Sequence, residues 1–110
     1  MGLTQRLEWE NLRSIDSATF TGVYQALSTP FAHPAYKVKL VNNSNVLVTI
    51  SDDGINDKDI APANSFWLYD ETMMVQFGAF PFLPQGTQIS VKGSAGVGLV
   101  YLVVQYIIQI

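Results

Sequence analysis

Residues 98–110 carry no charged side chain and are almost entirely β-branched, aromatic or otherwise apolar, which predicts one long β-strand. Alternate residues of a strand point to opposite faces, and here both faces are apolar. One face would carry Val100, Leu102, Val104, Tyr106, Ile108 and Ile110, and the other Leu99, Tyr101, Val103 and Ile107. A chain of 110 residues supplies one packed interior, so we expect another molecule to cover the second face.

The composition indicates a single domain whose surface is unusually poor in charge. Charged residues make up 14% of the chain, against about 25% in typical domains, which indicates that part of the surface is normally covered. The chain has no cysteine, which excludes disulfides, thiolate metal sites and a cysteine nucleophile. The net charge is −3 and the six basic residues form no stripe, so we expect no binding to nucleic acid.

Neither export nor membrane insertion is expected from the apolar pattern. The first ten residues contain no apolar stretch of the kind that directs secretion, so we expect synthesis in a cytoplasm. The longest apolar run, residues 99–108, has half the length of about 20 residues that a membrane helix needs.

Strand-like segments separated by turn residues recur along the chain, and no stretch has a helical period. Seven or eight short antiparallel strands at intervals near ten residues predict an all-β fold, a β-sandwich or jelly roll. Residues 36–51 are predicted to form one hairpin, with Tyr36, Val38 and Leu40 on the inward face of its first strand and Val46, Val48 and Ile50 on that of its second. Residues 88–92 are predicted to form a second hairpin with the final strand. Residues 18–110 would form the sandwich, and residues 1–17 either its first strand or an N-terminal arm that orders on a partner.

Three patterns contain residue types used in catalysis or ligand binding, and we expect none of them to act in this way. Residues 51–59 hold four aspartates but lack the EF-hand spacing, so a solvated loop is favoured over a calcium site. Gly93, Gly96 and Gly98 precede a strand rather than a helix, which favours a flexible connection over a phosphate site. His33, the only histidine, accompanies no Gly-x-Ser-x-Gly motif. We therefore predict no catalytic residue, no cofactor and no metal site.

Large apolar side chains outside the predicted core are candidates for contact with a partner. In the strand at residues 65–70, Phe66 is assigned to the core, while Trp67 and Tyr69 on the opposite face are assigned to a partner. Residues 73–83 are richer in apolar side chains than a free loop, and we place them at an interface. The predicted interface residues are Leu3, Leu7, Trp9, Leu12, Trp67, Tyr69, Phe80, Phe82, Ile107 and Ile110.

Four segments together resemble small virion structural proteins of tailed bacteriophages, most closely capsid decoration (cement) proteins. They are VNNSNVLVTISDDG (41–54), PANSFWLYD (62–70), QGTQISVKG (85–93) and GLVY (98–101), and the resemblance covers about residues 18–106. It implies a non-enzymatic clip that forms a dimer or trimer, binds the outer surface of the major capsid protein shell and stabilises the head. The implied location is the capsid surface, after synthesis in the host bacterial cytoplasm.

Two other functions remain open at this point. The chain could be a carbohydrate- or receptor-binding module of a phage tail that uses Trp67, Tyr69 and the acidic loop at residues 51–59. It could also be a neck or tail connector, which differs from a decoration protein in copy number and symmetry.

Overall fold

The computed structural model describes residues 5–70 and 83–109, and it places them in two antiparallel sheets. The predicted all-β sandwich is confirmed. The described residues contain nine strands, and a short 3-10 helix, Ser17–Thr19, follows the second. The strands are β1 (Gln5–Trp9), β2 (Arg13–Asp16), β3 (Gln25–Ala26), β4 (Lys37–Ser44), β5 (Val48–Ser51), β6 (Asp59–Ala61), β7 (Ser65–Asp70), β8 (Ser90–Lys92) and β9 (Gly98–Gln109).

The first sheet, sheet A, is built around β9. Its order is β1-β9-β4-β7, and β2 also pairs with β9, on the same side as β1. Trp9 pairs with Gln105 and Arg13 with Leu102, so three residues of the first segment stand opposite two residues of β9. This extra residue is a bulge, and β1 and β2 act as one interrupted edge strand. Residues 5–16 therefore lie along β9, in the position of a first strand.

The second sheet, sheet B, has the order β3-β8-β5-β6. Taken over both sheets, the strand pairs are nested, which means that each pair lies between the two strands of the preceding pair in the sequence. β2 pairs with β9, β3 with β8, β4 with β7 and β5 with β6, and successive pairs alternate between the sheets. Both predicted hairpins are wrong, because β4 and β5 lie in different sheets, as do β8 and β9. Two strands joined by a short turn have the same apolar alternation whether they pair or cross the sandwich.

The core lies between the sheets and uses alternate positions of each strand. The predicted inward faces of β4 and β5 are confirmed, since Val38, Leu40, Val48 and Ile50 are buried. Val100, Leu102 and Val104, at even positions of β9, also face the core. Among the described residues, the buried apolar cluster consists of Phe20, Leu27, Phe31, Ala35, Val38, Leu40, Val48, Ile50, Ala61, Ile89, Val91, Val100, Leu102 and Val104.

The two faces of β7 are the reverse of the prediction. Trp67 pairs with the buried Leu40 and packs against the core, and its indole N–H donates a hydrogen bond to Asp59. Phe66 and Leu68 point outward and are 63% and 47% exposed. Alternation shows which residues share a face of a strand, but it does not show which face points inward when both are apolar.

Candidate functional site

The outer face of sheet A points away from the core and is largely apolar. Cross-strand register places its residues in rows, for example Tyr101, Val41 and Phe66 in one row and Val103, Lys39 and Leu68 in the next. We define the outer face as Leu7, Trp9, Ser14, Asp16, Lys37, Lys39, Val41, Asn43, Phe66, Leu68, Leu99, Tyr101, Val103, Gln105 and Ile107, of which nine are aliphatic or aromatic.

Much of this outer face is accessible to solvent. Trp9 is 62% exposed, Leu7 and Leu99 are each more than one-third exposed, and Val103 and Ile107 are half-buried. Four strands spaced as in ordinary sheets and nine residues of β9 span roughly 14 by 27 Å, or roughly 400 Å². Large exposed apolar side chains grouped on one surface, here Trp9, Phe66 and Leu68, often mark a binding site on a soluble protein.

The outer face includes some of the predicted interface residues. Leu7, Trp9 and Ile107 lie on it, and Leu12 is exposed at the neighbouring bulge. The assignment of Trp67 to a partner is wrong, because its side chain packs against the core. The backbone of Tyr69 belongs to β7, and its contact with a partner stays a prediction. The predictions for Leu3, Phe80, Phe82 and Ile110 lie outside the described residues.

Sequence reasoning missed the part of the outer face that other strands contribute. The odd positions of β9 were expected to need a cover, and Leu99, Tyr101 and Val103 do lie on this face. Phe66 and Leu68 were missed because that inference needs the pairing of β7 with β4, and alternation does not encode which strands pair.

Two clefts indent the outer face, and Lys39 borders both. One has a volume of about 360 Å³ and is lined by Trp9, Lys37, Lys39, Leu68, Val103 and Gln105. The other has a volume of about 320 Å³ and is lined by Lys39, Val41, Asn42, Asn43, Asn64, Ser65 and Phe66. Lys39 is exposed, and its register neighbours on both sides, Val103 and Leu68, are apolar.

A buried ion pair holds the bulge between β1 and β2. The side chains of Glu10 and Arg13 are 5% and 6% exposed, and Arg13 Nη2 donates to Glu10 Oε1 over 2.8 Å. Arg13 also donates to the carbonyl oxygens of Thr29 and Pro30. Its Nη1 has no hydrogen-bond acceptor among the described residues, and the Phe31 ring lies 5.5 Å from the guanidinium carbon. The pair therefore joins the bulge to residues 28–33.

Glu10 also holds His33. The backbone N–H of His33 donates to Glu10 Oε2, and the ring nitrogen Nδ1 lies 2.8 Å from the same oxygen. The imidazole stacks on Tyr106, with ring centroids 3.7 Å apart. Burial acts to raise the pKa of the Glu10 carboxyl, but hydrogen bonds from Arg13, His33 and the backbone of Ala32 outweigh it and hold the pKa below its usual value.

Replacing Glu10 with glutamine is expected to lower the free energy of unfolding by about 2–4 kcal/mol at neutral pH, because the buried Arg13 loses its counter-charge. The lowered pKa of Glu10 means that the stabilisation is complete above the ordinary glutamate pKa and is lost as the pH falls through the lower folded-state pKa. The difference in the free energy of unfolding between the wild type and Glu10→Gln should therefore become smaller in acid. Urea unfolding followed by tryptophan fluorescence at several pH values measures it.

The control for this substitution is Asp52→Asn, which removes an exposed ion pair with Lys58. It should change the free energy of unfolding by less than about 0.5 kcal/mol. An equal decrease in the free energy of unfolding in the two variants would show that the buried Glu10–Arg13 pair stabilises the fold no more than an exposed ion pair does.

Carboxylates of the acidic loop at residues 51–59 are engaged in hydrogen bonds and ion pairs with other groups of the protein. Asp53 accepts from the Ser51 hydroxyl and from the backbone N–H groups of Ile55 and Asn56, and these bonds hold its pKa well below the usual range. Asp57 accepts from Tyr24 and pairs with Lys92. Within residues 5–70 and 83–109, no group of three or more acidic or histidine side chains is placed to hold a metal ion.

Comparisons with protein-family models, with curated proteins and with solved structures each found no match. In the part of the chain that the structure describes, no helix has the length and apolar character to cross a membrane. The surfaces themselves are therefore the basis for a functional assignment.

Proposed function

We propose that this chain is a non-enzymatic structural protein of a tailed-phage virion, a capsid decoration (cement) protein. In this role it binds the outer surface of the major capsid protein shell and stabilises the head. The observation that carries the proposal is the exposed, largely apolar outer face of sheet A. Apolar side chains on a regular sheet form a rigid, preformed surface, and continuous contact with a partner removes that surface from water.

We also propose that the sandwich is a jelly roll. Support comes from the nested strand pairs, which alternate between two four-membered layers when β1 and β2 are counted as one interrupted strand. Such a fold would present the outer face on four hydrogen-bonded strands, so little conformational entropy would be lost on binding.

The proposal includes self-association into a dimer or trimer on the capsid surface. Support comes from exposed apolar residues outside the outer face, among them Leu12, Val23 and Val97. Neither nucleic acid nor membrane is a partner in this proposal, in keeping with the net charge of −3. Light scattering of the purified protein measures the oligomeric state.

The test of this function is binding to heads of the encoding phage that were assembled without the protein. The wild-type protein should co-sediment with such heads, and heads that lack it should rupture more readily on heating or at low ionic strength. Phe66→Asp should reduce binding at least tenfold, because a carboxylate would be buried at the contact without a partner.

The matched control is Ile55→Asp, since Ile55 is 79% exposed but lies in the loop between β5 and β6. It should bind heads as the wild type does. Heads of equal robustness with and without the protein would contradict the clamp function. Unchanged binding of Phe66→Asp would exclude the outer face as the contact.

A carbohydrate-binding module is the second candidate, because of a third cavity next to the bulge. It has a volume of about 470 Å³, and its lining includes the aromatic rings of Trp9, His33 and Tyr106 and the side chain of Asn11. Aromatic rings beside amide groups suit the stacking and hydrogen bonding of a sugar. A glycan screen with and without calcium, followed by tryptophan fluorescence, tests this candidate. A neck or tail connector would use the same outer face at a lower copy number.

A further inference from the structure

We infer that the outer face of sheet A binds an acidic surface of a different protein, with a carboxylate opposite Lys39, and that a second copy of this chain does not occupy it. This inference rests on the proposed function, since it names the chemistry of the shell surface that the outer face contacts.

The charge at the middle of the outer face is positive. Lys39 lies in the central row, between Val103 and Leu68, and borders both clefts of the face. Lys37 is two residues away on the same strand and the same face, and by backbone register it stands opposite Asp70 of β7. Asp16 lies at the far end of the sheet, opposite Leu99, where its side chain accepts a hydrogen bond from Ala18. A chain with a net charge of −3 thus presents Lys39 between two apolar residues in the central row of this face.

This position of Lys39 disfavours a second copy on the same face. A two-fold axis through the middle of the outer face would bring the Lys39 side chains of the two copies together. In the described strands, the row that holds Lys39 contains only Val103 and Leu68 beside it, so both ammonium groups would lose water without a carboxylate in that row, which is unfavourable.

A carboxylate of a different protein would provide the counter-charge that Lys39 lacks opposite a second copy. The cleft of about 360 Å³ next to Lys39 has apolar walls from Trp9, Leu68 and Val103 and offers the Lys39 ammonium group as a donor. An aspartate or glutamate flanked by apolar residues would place its charge on Lys39 and its neighbours on these walls. Such a charge pair adds specificity and speeds association.

The experiment measures binding to heads assembled without the protein, using wild type, Lys39→Glu, Lys39→Gln and Lys39→Arg. Lys39→Glu should weaken binding tenfold or more, and Lys39→Gln should weaken it less. Lys39→Arg should bind within about threefold of wild type, because it keeps the charge. Added salt should weaken wild-type binding more than binding of Lys39→Gln. Lys58→Glu is the control, because it makes the same change in net charge in the loop at residues 51–59.

The outcomes separate this inference from the proposed function. Wild-type binding that is lost in Phe66→Asp but unchanged in Lys39→Glu would overturn the inference and leave the decoration function in place. Equal weakening by Lys39→Glu and Lys58→Glu would overturn it as well, because net charge would then explain the effect. A dimer in light scattering that Phe66→Asp dissociates would show that a second copy occupies the face. Wild-type protein that does not bind heads would overturn both proposals.

Discussion

Replacing Gly98 with alanine is expected to lower the free energy of unfolding by at least about 3 kcal/mol, a large part of the roughly 5–15 kcal/mol that stabilises a typical domain. Gly98 begins β9 with a φ of +115°, a region that side chains other than glycine rarely adopt. A Cβ atom there would lie 2.2 Å from the carbonyl oxygen of Asn43 and 2.9 Å from the Cα of Ser44. Both obstacles belong to the backbone of β4, so they cannot move without separating the two central strands of sheet A.

Gly86→Ala is the matched control for this substitution. Gly86 also has a positive φ, of +88°, but an added Cβ would meet nothing within 4 Å. Its replacement should cost only the backbone term of about 1–2 kcal/mol. Urea unfolding followed by tryptophan fluorescence compares the two variants. A loss for Gly98→Ala no larger than that for Gly86→Ala would show that the close approach to β4 is relieved without cost.

Replacing Asn42 with aspartate is expected to destabilise the fold by about 3–5 kcal/mol at neutral pH. Asn42 is 1% exposed, and its Nδ2 lies within hydrogen-bond distance of the carbonyl oxygens of Val46, Ala61 and Pro62. Its Oδ1 accepts from the backbone N–H and the hydroxyl of Ser44. A carboxylate would place negative oxygens against three carbonyl groups and bury a charge.

Burial would raise the pKa of the new carboxyl in the folded protein, so the loss in Asn42→Asp should shrink as the pH falls through that raised pKa. The loss should be smallest below the ordinary aspartate pKa, where the introduced acid is neutral in both the folded and unfolded protein. Asn43→Asp is the control, since Asn43 is the next residue of β4 and is exposed. That variant should lose less than about 1 kcal/mol. Similar losses for the two variants in urea unfolding would mean that the bonds of Asn42 between the sheets add little to stability.

The strands themselves could be predicted from the sequence because alternation is a local signal. Val38 and Leu40 alternate with Lys37 and Lys39, and this contrast fixes both the strand and its inward face. In β7 both faces are apolar, so the contrast is absent and the burial of Trp67 was missed. The face of such a strand is decided by its pairing with β4, a contact between residues far apart in sequence.

The path of the chain between the sheets could not be predicted, because the residues at the crossing have the composition of an exposed turn although one of them, Asn42, is buried. Residues 42–45 have the composition of a turn between paired strands. In the structure β4 continues to Ser44, and Asn42 bonds across to the backbone of residues 46, 61 and 62. The amide groups that indicate a turn therefore serve to join one sheet to the other.

The candidate site was found in part for the same reason. Leu7, Trp9 and Ile107 were predicted as interface residues from their apolar character, whereas the position of Lys39 at the centre of the outer face depends on the order of the strands. Lys39 alone resembles any solvent-facing lysine of a half-buried strand.

In the nested arrangement, the number of residues between two paired strands differs from pair to pair, and so does the entropy lost when the pair forms. β5 and β6 are joined by residues 52–58, so bringing them together closes a short loop. β1 pairs with β9, and Gln5 lies opposite Gln109, so that pair closes almost the whole described chain. The inner pair can form while synthesis is still in progress, but the edge strand at residues 5–16 has no partner until β9 has been made. Strands β1 and β2, which precede the other strands of the sandwich, can therefore pair only after the long apolar strand β9 has been made.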